Sequence, residues 1–115
     1  MENHIEVVET AYEFLLAYAA QGREDDTEGP GRKVREVINE LDDAMASILN
    51  SLDDNIPFSE VIADDIAKTR RALTLVSSRS RISSELIDNL NASMHLRAVL
   101  TDLFLLSEAL RIGEG

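Results

Sequence analysis

The chain of 115 residues contains no cysteine. That excludes disulfide bonds and thiolate metal centres, and it fits a reducing compartment. Proline occurs twice, as Pro30 and Pro57, and each marks a break between apolar segments. Met1 to Glu9 holds Glu2, Glu6 and Glu9 but no lysine or arginine, the reverse of the basic first region of a signal peptide. The longest unbroken apolar run, Phe14 to Ala20, is far short of a membrane span. Together these absences predict a soluble, cytoplasmic protein with no membrane partner. Positive charge is also scarce. With 11 basic against 22 acidic side chains the formal charge is -11, which argues against DNA or RNA as the main partner, because nucleic-acid binding depends on neutralising phosphates.

The deficit is uneven. Ile66 to Ser84 has no acid and carries Lys68, Arg70, Arg71, Arg79 and Arg81. That basic stretch has three readings. Lys68, Arg70 and Arg71 complement the negative end of a helix while Arg79 and Arg81 solubilise a turn, or the five form a docking surface for an anion or an acidic partner. A third possibility is an encounter with the acidic loop of Glu24, Asp25, Asp26 and Glu28, in the same or a second chain.

Apolar spacing predicts helices throughout, with no strand pattern and no internal repeat. A first helix over 3–21 has two neighbouring stripes, one of Ile5, Val8, Tyr12, Leu15 and Ala19, the other of Val7, Ala11, Phe14 and Tyr18, and Gly22 supplies a left-handed stop. The following loop, acidic and glycine-containing, is expected to be mobile and solvated. Gly29-Pro30 opens a second helix over 30–52. Its stripe of Val34, Ile38, Leu41, Met45, Ile48 and Leu52 is a heptad seam. A third helix over 57–77 points Phe58, Ile62, Ile66, Leu73 and Val76 inward, with Val61 beside them. A fourth, over 83–112, is capped by Ser83 and stapled by Ile82 and Ile87.

Four helices with short connections predict an all-α, antiparallel up-down-up-down four-helix bundle in a single domain, 1–115; a chain of this size buries roughly 65% of its unfolded surface and needs no staples. The fourth helix would be roughly 44 Å long against roughly 30 Å for one of about 20 residues. Its dense apolar tail would overhang a single subunit. A homodimer through Leu103, Leu105, Leu106, Leu110 and Ile112 is therefore expected.

Two patterns suggest chemistry. His95 falls within the fourth helix on a small, polar stripe with Asp88, Asn91, Ala92, Ala98, Asp102 and Ala109, facing away from the leucines. The run from Asn91 to Thr101 resembles the phosphoacceptor box of sensor kinases, and a mid-helix histidine on such a bundle resembles histidine phosphotransfer domains. The resemblance implies phosphotransfer on His95. Met94 occupies the histidine position of the box, His95 that of the acid, and Ala98 and Val99 replace the lysine and glycine of the phosphotransfer domains.

Glu6 and Glu9 on the first helix, with Glu40 and Asp43 on the second, form two i,i+3 acidic pairs of the kind that hold Mg²⁺. They resemble the metal-binding pattern of the all-α nucleotide pyrophosphohydrolases, which implies a Mg²⁺-dependent hydrolase if all four converge. In a chain this acidic, solvated amphipathic faces are the favoured account of the pairs. A ferritin-type di-iron site would need Glu-x-x-His motifs, which the chain lacks. Haem would need axial ligands from His4, His95 or a methionine, and Met45 sits on a core seam. No cofactor is expected. The reading favoured by the residues is a non-catalytic, acidic interaction module, adaptor or regulator, binding another protein.

Overall fold

Nearly every apolar stripe becomes a helix, but the last becomes two. The computed structural model describes residues 2–27 and 29–114, without the side chains of 30, 31 and 112–114. In chain order α1 spans Glu2–Ala19, a 3-10 segment Gly29–Lys33, α2 Val34–Ser51, α3 Phe58–Ser77, α4 Ser84–Ala92 and α5 His95–Glu114. The described residues are thus all-helical, with no strand.

Local chemistry sets most boundaries. The chain leaves α1 through Gly22, whose φ of +67° costs a residue without Cβ nothing. Gly29-Pro30-Gly31 forms the 3-10 segment instead of opening the second helix, so α2 starts at Val34 and not near 30; glycine and proline are the poorest residues for an α-helix interior. After α2, Leu52 turns extended and Asp53 organises the corner. Its side chain accepts from the Asn55 amide at 2.9 Å, and its carbonyl accepts from the Ser59 hydroxyl at 2.7 Å.

Five positions of the expected seam of α2, Val34, Ile38, Leu41, Met45 and Ile48, are at or below 2% exposure, whereas Leu52 falls past the end of the helix and is only partly buried. α3 contributes Ile62, Ile66, Leu73 and Val76, while Val61, expected beside them, is 45% exposed. Thr69 is buried with its hydroxyl donating to the Asp65 carbonyl at 2.8 Å. α1 buries Ile5, Val8, Ala11, Leu15 and Tyr18, taken from both expected stripes. Its inward face therefore lies between them, leaving Val7 exposed and Phe14 only partly covered.

The predicted helix over 83–112 is interrupted at Ser93-Met94. Ser83 caps α4 as expected, its side chain accepting from the Leu86 amide at 3.0 Å, and Ile82 and Ile87 are fully buried. At the other end Ser93 donates its hydroxyl to the Leu90 carbonyl at 2.6 Å, and Met94 takes a φ of +66°. The cause is a change of phase. α4 buries Ser84, Ile87 and Leu90, whereas α5 buries Leu96, Val99, Leu100, Leu103 and Leu106. On one continuous helix, at about 100° per residue, these two faces would point in nearly opposite directions. The left-handed turn lets both face inward.

α1 packs on α2, α4 and α5, α2 on α3, and α3 on α4 and α5. The molecule is compact and elongated, 48 × 23 × 21 Å.

Candidate functional site

The apolar tail is only partly covered. Leu103 and Leu106, expected at an interface between subunits, lie in the core at 0% and 8% exposure. The stripe Leu96, Leu103, Leu110 then runs out of neighbours, its exposure going from 2% to 0% to 47%. Phe104 and Leu105 are also exposed, and Phe104 and Leu110 share a shallow concavity with Glu2, Ser107, Glu108 and Arg111. The expected contribution of Ile112 lies outside the described side chains.

His95 is not mid-helix. It is the first residue of α5, immediately after left-handed Met94, and is half-buried. Nor does the small, polar stripe around it face solvent as a whole. Asn91 is turned toward α1, where its side-chain amide donates to the Leu15 carbonyl at 3.3 Å. Asp102 stands against Asp65 of α3, and its buried Oδ2 has no hydrogen-bond partner among the described residues. Burial first, then the neighbouring Asp65, pushes the Asp102 carboxyl up to about 7. Asparagine and aspartate on a stripe of small residues resemble a solvent face in sequence, and the break in the helix is what redirects them.

Of the acidic pairs, Glu6 and Glu40 border one groove, Glu40 and Asp43 an adjoining one, and Glu9 lines neither. Among the described residues, no three His, Asp or Glu side chains are grouped so as to hold a metal ion.

The basic stretch is divided among several tasks. Arg70 makes a two-pronged contact with Asp42 at 2.8 and 3.2 Å, which holds its guanidinium above its ordinary value. Lys68 and Arg71 remain exposed on α3. Arg79 and Arg81 are exposed in the turn before α4, with Arg79 donating to the Ser78 hydroxyl. The acidic loop does meet this turn, although the principal cation there is Arg35. Arg35 pairs with Asp26 at 2.7 Å and donates to the carbonyls of Ser77 at 3.0 Å and Arg79 at 2.8 Å. Asp26 also accepts from the Ile82 amide at 3.1 Å. Burial opposes ionisation of Asp26, but the Arg35 and Ile82 hydrogen bonds outweigh it and hold the carboxyl below its usual value. Asp25 closes its own turn by accepting from the amide and hydroxyl of Thr27 at 3.1 and 2.6 Å, and the Arg23 amide donates to the Ser84 hydroxyl at 2.8 Å, so hydrogen bonds tie this loop to α4 while Glu24 and Thr27 stay exposed.

A surface that periodicity did not single out lies between α1 and α2. Val7, Ala11, Phe14 and Val37 form the floor of a groove of about 450 Å³, with Glu6 and Glu40 on its rim. Beyond Val7 and Glu40 it continues for about 260 Å³ past His4 and Asp43. Its sequence signal is the second stripe of α1, Val7, Ala11 and Phe14, which has the same period as a buried face.

Comparison with protein-family models, with curated proteins and with solved structures gives no significant match. Among the described residues, no helix is long and apolar enough to cross a membrane.

Proposed function

We propose that the chain is a non-catalytic, acidic helical interaction module, an adaptor or regulator that works in the cytoplasm as a homodimer and holds another protein on a face of its bundle. In this reading its helices run up-down-up-down, with α4 and α5 together forming the fourth arm. The observation that carries it is the loss of cover along Leu96, Leu103 and Leu110, next to exposed Phe104 and Leu105. An uncovered continuation of a core stripe favours burial against a second copy, and a twofold contact closes the assembly. The absence of cysteine fits a reducing cytoplasm. Phosphotransfer has less support, because His95 opens a helix and does not project from the middle of one.

Sedimentation equilibrium at micromolar concentration tests the assembly. The expected result is a dimer that becomes a monomer in the double variant Phe104→Lys, Leu110→Lys without loss of helicity. A wild-type chain that stays monomeric at tens of micromolar overturns the proposal.

A further inference from the structure

We propose that the groove between α1 and α2 docks a basic amphipathic helix of a partner protein. The inference rests on the interaction-module reading and names the face and the chemistry of what it holds.

Two packed helices leave a furrow into which a third can lay its apolar side. Here the furrow floor is apolar without being closed. Val7 is 37% exposed, and Phe14 and Val37 pack on the core only partly. The lining of the larger groove runs from Asn3 to Phe14 along α1, about 16 Å of helix. That length suits an incoming helix with anchors at i, i+3 or i+4, and i+7.

The rim decides the charge of the occupant. Glu6, Glu40 and Asp43 border the two adjoining stretches, and among the described residues no lysine or arginine lines either of them. Lysine and arginine suit this rim because their aliphatic stems cover apolar surface while their heads reach the carboxylates. The chain's charge of -11 reinforces the choice. It steers cationic segments toward the groove and opposes an acidic helix.

The probe is a fluorescent synthetic helix of about 20 residues, with leucines at that spacing flanked by lysine and arginine. Its control carries glutamate at every basic position. The basic probe is expected to bind, to shift the amide resonances of Val7, Thr10, Ala11 and Val37, and to weaken as salt rises from about 50 to about 300 mM. Reversing the rim with Glu6→Lys and Glu40→Lys is expected to weaken binding by about tenfold or more. Both residues are exposed, so the variant should keep the wild-type helicity. The docking site is overturned if the basic probe does not bind, if the acidic control binds equally, if rim reversal changes nothing, or if the shifts centre on α5. Sedimentation of the same samples separates the two ideas. A dimer that ignores the basic probe removes the groove proposal alone, whereas a monomer that binds it at Val7 and Val37 supports the groove and removes the dimer.

Discussion

The hydroxyl of Tyr18 donates to the carbonyl of Ile82 at 2.5 Å, tying the end of α1 to the residue before the α4 cap. Close by, the Ser84 hydroxyl donates to the Tyr18 carbonyl at 2.7 Å and accepts from the Arg23 amide at 2.8 Å. Tyr18 and Ser84 are 1% and 2% exposed, so water is a poor substitute for any of these partners. Tyr18→Phe keeps the ring and removes the donor to Ile82, and Ser84→Ala removes one donor and one acceptor. Each is expected to cost about 1–3 kcal/mol, the usual penalty for leaving a buried polar group unsatisfied. Urea unfolding checks it. An unchanged midpoint in both variants would show that this junction contributes nothing to stability.

Arg35 and Asp26 form the second fastening of the same corner, with side-chain exposures of 37% and 11%. Arg35→Met retains much of the aliphatic stem but leaves Asp26 without its cation. A loss of about 1–3 kcal/mol is expected. A double-mutant cycle with Asp26→Asn should return a coupling energy well above that of an exposed pair, for which about 0.2–1 kcal/mol is typical. The sign of the pH dependence follows from the lowered carboxyl of Asp26. Its contribution is present above the ordinary value of 3.8 and is lost as pH falls below it. Asp26→Asn should therefore flatten the acid limb of the stability curve.

Asp102 has the opposite sign. Burial and Asp65 raise it from 3.8 to about 7, so between those values the folded chain retains a proton that the unfolded chain has released. The contribution is complete below 3.8 and is lost as pH rises through about 7. Asp102→Asn supplies a permanent donor toward Asp65. It should raise the urea midpoint at pH 8 and remove most of the slope on the neutral side. Retention of the wild-type slope in Asp102→Asn would contradict this account.

Met94 keeps a left-handed backbone, φ +66°, with its side chain 53% exposed. For a residue with Cβ this conformation costs roughly 1–2 kcal/mol, part of which glycine returns through greater freedom in the unfolded chain. Met94→Gly should therefore stabilise the protein by about 0.5–1 kcal/mol. Thermal and urea unfolding measure it directly. Destabilisation by a similar amount would mean that α4 and α5 are joined through a conformation other than this turn.

The helices and much of the core were legible in particular residues. Val34, Ile38, Leu41, Met45 and Ile48 announce a seam by spacing alone and are buried along its length. Ser83 announces a cap and makes the hydrogen bond. The break at Ser93-Met94 had a weaker trace, the six-residue step between Leu90 and Leu96 that puts the two buried stripes out of phase. No glycine marked it, and methionine carries no preference for left-handed turns. The groove left no separate trace, because Val7 and Phe14 repeat at the same helical period as true core residues. Periodicity records which side of a helix is apolar and does not record whether a neighbour arrives to cover it.

Residue order alone makes this chain helical, sets where most of the helices start and stop, and gives it a strongly acidic surface. These are local properties, fixed by side-chain spacing, capping groups and charge within a few residues. Packing between distant segments is what makes Leu103 and Leu106 core while Leu110 is half exposed, lets Arg35 fasten the acidic loop, and sets Asp102 against Asp65. Each of those outcomes depends on groups distant in sequence arriving at the same place, and burial, ion pairing and proton affinity are set by that arrival.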